Sequence, residues 1–248
     1  RSSVSIEVKT RGITAQNKTG RCWMYALLNI MREVVSEKCN LEYFELSENY
    51  LAFYDKLEKA NNMLEMTIEN ADKPLSDRKM EYILQGFWDG GYWQMAADLV
   101  KKYGVIPQWV MPDTYQSSHT EKFMALLTTL LRKDMAELRK MIAEGKDPSE
   151  RKEEMMQEIF KAECISFGMP PETFDFEYRD KDNHYHADHS LTPKQFFEKY
   201  IAMDMEAYVH IVNEPTSTRQ FNRLYQFHYI GNMAESNIRI LIILIQMI

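Results

Sequence analysis

The sequence predicts an α+β fold, and three observations carry that expectation. Apolar residues recur at helical spacing through most of residues 23–167. Alternating and β-branched runs are concentrated beyond residue 167. With 45% hydrophobic residues in 248, the chain can bury a substantial core, as one large unit or two.

Helices are expected over 23–36, 48–61, 79–84 and 92–102. In the first, Trp23, Ala26, Leu27, Ile30, Met31 and Val34 repeat at helical spacing. In the second, Ser47 is a candidate N-cap, and Leu51, Tyr54 and Leu57 recur at three-residue steps to give one buried face. Pro107 and Pro112 punctuate a turn. Residues 119–167 are dense in Lys, Glu, Leu and Met and are broken only at Gly145-Lys146-Asp147-Pro148, so they read as two amphipathic helices in a hairpin. Asp147 would cap the second of these, and Pro148 would sit in its first turn. Phe176 to Asp182 alternates and closes on a polar turn, as a strand hairpin does, and a helix is expected over 194–200. Ile238 to Ile248 is intensely apolar and β-branched; a membrane helix needs about 20 such residues, so one or two buried strands are expected. Such an edge calls for cover, by more chain or a partner.

Composition excludes several functions. A formal net charge of −7, a pI near 5.5 and a mean hydropathy of −0.47 suit a soluble globular protein and argue against a general phosphate-binding surface. Three cysteines offer no disulfide framework, which suits a reducing compartment, so the expected location is the cytoplasm. Arg1 to Thr14 lacks the continuous apolar core of a targeting segment, and the first residue is not Met, so the expectation is an excerpt or a processed chain.

The most telling segment is Gln16-Asn17-Lys18-Thr19-Gly20-Arg21-Cys22-Trp23. It places a cysteine where a polar run gives way to an apolar helical one. A thiol attacks as thiolate, and the free N–H groups and positive dipole end of a helix N-terminus favour that anion. Gly20 lets a substrate carbonyl approach closely. Gln16 can aim its amide at a developing oxyanion, with the Cys22 backbone N–H as second donor. The plainer reading, a buried small cysteine beside a core aromatic, does not account for this boundary position, which neither Cys39 nor Cys164 shares.

This segment resembles the active-site region of papain-like cysteine peptidases, most closely the bleomycin hydrolase and bacterial aminopeptidase C branch. The similarity continues through Glu45 to Leu51, Asp55 to Asn61, Asp89-Gly90-Gly91-Tyr92-Trp93, Lys102 to Pro107, and Leu191-Thr192-Pro193. The resemblance implies a papain-like fold with helical insertions and a cysteine aminopeptidase activity that needs no cofactor. It implies Cys22 as nucleophile, Gln16 as oxyanion donor, and Gly90 and Gly91 as backbone that hydrogen-bonds an extended peptide substrate like an added strand. It also implies a division into a nucleophile-bearing helical part (1–115), a hairpin insertion of the kind that helps build a homo-hexamer (116–167) and a mixed segment (168–248).

A base is missing from this set, since a cysteine peptidase needs a His and an orienting Asn or Asp. None of His119, His184, His186, His189, His210 and His228 lies in a matching apolar context. In the branch these groups lie far downstream, so the chain is expected to be about the N-terminal half of such an enzyme. His184, His186 and His189 raise a metal hypothesis, but their spacing and charged surroundings favour a solvated turn, and no metal is expected. The competing reading is a non-catalytic helical assembly module in which Cys22 is structural.

Overall fold

The computed structural model describes residues 10–208, 210–212, 220–228 and 237–242, with side chains unassigned for part of the last segments. Eight α-helices and five strands are present among the described residues: α1 (Cys22–Lys38), α2 (Glu48–Glu69), α3 (Arg78–Gln85), α4 (Trp93–Tyr103), α5 (Tyr115–Ser118), α6 (Glu121–Ala143), α7 (Ser149–Phe167), β1 (Phe174–Arg179), β2 (Tyr185–Leu191), α8 (Pro193–Tyr200), β3 (His210–Val212), β4 (Arg223–His228) and β5 (Asn237–Ile242). The helices and strands segregate as expected, which makes the fold α+β.

Helix α2 is the axis of the helical part, packed by α1, α3, α4, α6 and α7. Its start is as expected: the Ser47 hydroxyl accepts the Tyr50 N–H at 3.1 Å and donates to the Met111 carbonyl at 2.6 Å. Its faces differ from expectation. Leu51 is buried, but Tyr54 and Leu57 are only half-buried, whereas Asp55, Lys56 and Lys59 are buried. Through Glu65, the residues of α2 left at least partly exposed, Tyr54, Leu57, Asn61 and Glu65, fall on one narrow stripe, so the charges of Asp55, Lys56 and Lys59 face the interior and must pair there.

Helix α1 is rotated relative to the expected apolar face. Met24, Leu27, Leu28, Met31 and Val35 are buried, while Cys22, Ala26 and Ile30, spaced four apart, share an exposed face.

The helices α6 and α7 form the expected hairpin, and both also pack on α2. Leu127, Leu131, Met135, Met155 and Ile159 belong to the same core as α1 and α2. Pro148, not Asp147, takes the cap position. The Asp147 carboxylate nevertheless accepts the Ser149 N–H at 3.0 Å, so it satisfies an orphan donor from one residue further out.

Strands β1 and β2 pair antiparallel, with Phe174 and Phe176 turned into the core. Thr192 caps α8 in a capping box with Gln195, and Pro193 opens it. Gly104 closes α4 at φ 76°, and a Cβ there would lie 2.3 Å from the Pro193 carbonyl carbon, so only glycine lets α8 dock. In the second sheet β5 lies between β3, parallel to it, and β4, antiparallel to it. The apolar C-terminal run thus contributes a strand over 237–242 that pairs with β4 along its length and with β3 over 240–242; residues 243–248 of that run lie outside the described residues. No helix among the described residues is long and apolar enough to cross a membrane.

Candidate active site

Cys22 is the first residue of α1, exposed and free of any disulfide. The helix has no side-chain cap and no acidic residue in its first turn. The positive end of its dipole is therefore left uncompensated at the thiol.

The preceding loop is held in a tight form. The Gln16 amide donates to the Thr19 carbonyl at 2.7 Å, the Thr19 hydroxyl donates back to the Gln16 carbonyl at 2.7 Å, and Asn17 adopts a left-handed φ of 53°. Gln16 is half-buried. One of its two amide hydrogens is spent on Thr19, and the second remains to donate. Gln16 and Cys22 thus stand at the two ends of one braced loop.

The loop carrying Gly90 and Gly91 lies against this one. Neither Gly90 nor Gly91 has a φ above zero. The reason for glycine is close approach. A Cβ on Gly91 would lie 2.6 Å from the Trp23 ring, and one on Gly90 would lie 2.6 Å from Trp88 Nε1. The Trp23 indole N–H donates to the Asp89 carbonyl at 2.7 Å, and the Gly20 N–H donates to Asp89 Oδ2 at 3.2 Å. Structure thereby brings Cys22, Gln16, Gly90 and Gly91 into one neighbourhood.

Beneath them lies a charged floor that sequence reasoning missed. Lys56 pairs with Asp89 Oδ1 at 2.7 Å, and Thr120 donates its hydroxyl to Asp89 Oδ2. Lys59 donates to Asp55 at 2.8 Å and to the carbonyls of Trp88 and Gly90 at 3.0 and 2.9 Å. Burial works against the Asp89 charge, but Lys56 and the donors from Thr120 and Gly20 outweigh it and lower the carboxyl to about 2. Burial pushes the Asp55 carboxyl up and the Lys59 ammonium down, and their mutual pairing opposes both shifts. In sequence these residues look like an ordinary charged helix surface; the only hint was Asp89 beside the paired glycines.

The segment 113–120 straps the Cys22 loop from the other side. Lys18 N–H donates to the Ser118 carbonyl at 3.0 Å, and buried Arg21 donates to the Ser117 carbonyl at 2.8 Å and reaches Asp113 at 3.4 Å.

No hydrogen bond among the described residues links a histidine ring to Cys22. His119 stacks on Tyr115 at 4.4 Å. His184 and His186 both bind Asp180, which also accepts the His184 backbone N–H, and this turn closes the β1–β2 hairpin. The His186 bond, set against slight desolvation and helped by His184, lowers the Asp180 carboxyl to about 2. Asp175, Glu177 and His189, and Asp180, Asp182 and His184, are the groups whose ligand atoms come within 4.8 Å of one another, on the exposed hairpin. The side chains of His210 and His228 lie outside the described ones.

Fold and nucleophile loop together describe a papain-like thiol peptidase scaffold. The family model described as "Peptidase C1-like family" matches residues 1–246, and the chain belongs to that family. It is 41% identical over 93% of its length to Aminopeptidase C of Lactobacillus delbrueckii subsp. lactis, covering 52% of that protein. It is 42% identical over 93% of its length to Aminopeptidase C of Listeria monocytogenes, again covering 52%. The crystal structure of PepW from Lactobacillus rhamnosis HN001 superposes with a TM-score of 0.93 at 39% identity, covering 98% of this chain and 56% of that one. The chain therefore spans about half the length of the curated relatives it matches.

Proposed function

We propose that this chain carries the nucleophile half of a cysteine aminopeptidase that removes N-terminal residues from peptides. The observation that carries the reading is an exposed Cys22 on an uncapped helix N-terminus, followed by Trp23, whose ring packs against Gly91 of the paired glycines. In this mechanism the Cys22 thiolate attacks the peptide carbonyl, the C–N bond breaks to leave a thioester as the departing amine takes a proton from the protonated base, and water activated by that base then hydrolyses the thioester and returns the thiol. Gln16, through its remaining amide N–H, and the Cys22 backbone N–H hold the oxyanion. Gly90 and Gly91 align the substrate backbone. The base and its orienting amide come from the part of the relatives' length that this chain does not span. The uncovered Cys22, Ala26 and Ile30 face of α1 supports this, since an opposing domain would close the cleft there.

The names of the relatives support the exopeptidase specificity. A cytoplasmic location and a homo-oligomer of six copies belong to the same reading. Leu126 and Ile165, exposed on α6 and α7, offer the hairpin an apolar surface for such contacts.

The test is kinetic, on aminoacyl amide substrates and in the full-length protein that carries this chain. Cys22→Ala abolishes turnover. Gln16→Ala lowers kcat by roughly 10²–10³ with little change in KM, because it acts on the transition state alone. Retained turnover in Cys22→Ala defeats the reading.

A further inference from the structure

Asp89 hydrogen-bonds the Cys22 loop from the paired-glycine loop, and its contacts fall on both sides of Cys22. Its carboxylate accepts the N–H of Gly20, two residues before the thiol. Its carbonyl accepts the indole N–H of Trp23, one residue after it. The same carboxylate pairs with Lys56 of α2 and accepts from Thr120, which stands at the start of α6. Lys56 is 1% exposed and Thr120 2%. Gly90 is the next residue after Asp89, and its carbonyl is held from below by Lys59 of the same α2 face.

We infer that Asp89, paired with Lys56 and bonded to Thr120, is a positioning residue that sets the register of the Cys22 sulfur against the substrate-aligning backbone of Gly90 and Gly91. This deepens the peptidase reading and rests on it. Two lines of physical argument support it. Three partners from three segments converge on one side chain, and only a carboxylate, with two oxygens and no donor, can accept from all of them; an amide presents a single acceptor oxygen. A buried ion pair is also poor evidence for stability, because desolvation cancels much of its attraction. The pair is better explained by geometry, because it fixes two loops to the most enclosed helix of the fold, and catalytic constellations need support from rigid elements. The depressed Asp89 carboxyl keeps the clasp charged across the pH range in which a thiol peptidase works.

The experiment uses the full-length protein carrying this chain with Asp89→Asn, Thr120→Val and Thr120→Ser. Three quantities are read: kcat and KM on an aminoacyl amide, thermal unfolding, and the ratio of Cys22 alkylation rates by an aminoacyl chloromethyl ketone and by iodoacetamide. The ketone reaches Cys22 through the aligning backbone, whereas iodoacetamide does not, so the ratio reports register without turnover. Asp89→Asn should lower both kcat and the ratio roughly 10²-fold, the scale of an ångström's misplacement, with KM changed less than about threefold. Thr120→Val should lower both in the same direction by less, and Thr120→Ser, which keeps the hydroxyl, should behave as the unmodified protein. If Asp89→Asn fails to fold, the Thr120 pair decides. Unchanged kcat and ratio with only a lowered melting temperature overturns the positioning role. An unmodified protein that neither turns over substrate nor prefers the ketone defeats the peptidase reading itself, and the positioning role falls with it.

Discussion

Three cysteines in one chain can be told apart by where the fold puts them. Cys22 is exposed at a helix N-terminus. Burial pushes the thiols of Cys39 and Cys164 up, and bonding to Tyr178 only partly offsets this for Cys39. Brief iodoacetamide treatment at mildly acidic pH, with peptide mapping afterwards, should therefore label Cys22 well ahead of the other two; equal labelling of all three would contradict the site. Glu48 provides a second residue-level test. Burial, with Asp113 and Glu45 nearby and only partial relief from its backbone bond and Arg21, pushes its carboxyl from 4.5 up to about 8. Between those values the folded protein holds a proton that the unfolded chain has released, so stability falls as pH rises and levels off above 8. Glu48→Gln removes that slope. Urea midpoints at pH 5 and pH 8.5 should converge in the variant, and an unchanged difference would disprove the buried proton.

Helices α1 and α2 show how elements position a site. The two loops meet because Trp23, at the start of α1, lies flat against Gly91. Gly91→Ala puts a methyl 2.6 Å from the indole, and the overpacking should cost about 1–3 kcal/mol in urea unfolding. A cost near zero would mean that the Trp23 ring moves aside freely. Helix α2 differs from a usual amphipathic helix in that its charged residues serve the interior. Asp55, Lys56 and Lys59 sit under the loops, so α2 gives the site both its floor and its charges.

The helical part of the molecule shares one core, so loss of a buried ion pair is felt as a change in global stability. Asp89 titrates at about 2 in the folded protein and near 3.8 when unfolded. Because its folded value is depressed, the stability it contributes is present above about 4 and lost as pH falls toward 2. The shift corresponds to about 2 kcal/mol. Comparing unfolding free energies at pH 5 and pH 2.5 for the unmodified protein and Asp89→Asn isolates this contribution from the other carboxylates. The unmodified protein should lose about 1.5 kcal/mol more than the variant, because Asp89 is still partly ionised at pH 2.5, and parallel losses would show that Lys56 does not hold the charge.

Much of this was legible in the sequence, and what was not has a common cause. The helical periodicity of residues 23–167, the Ser47 cap, the hairpin break at Gly145 to Pro148 and the alternating run from Phe176 to the polar turn at Asp182 are local signals, written in residues near one another. The polar-to-apolar boundary at Cys22, where α1 begins, is local too, and so was readable, as was the paired glycine. Which face of α1 is buried, why Gly90 and Gly91 must be glycine, and which charges leave water depend on neighbours distant in sequence. Asp89 meets Gly20, Lys56 and Thr120 from three segments that only the packing around α2 brings together. A Lys three residues from another on a helix reads as solvated surface until packing removes the solvent. Tertiary structure alone decided that Lys56 and Lys59 would be the floor of the site, because burial is a property of the assembled helices and no short stretch of sequence carries it.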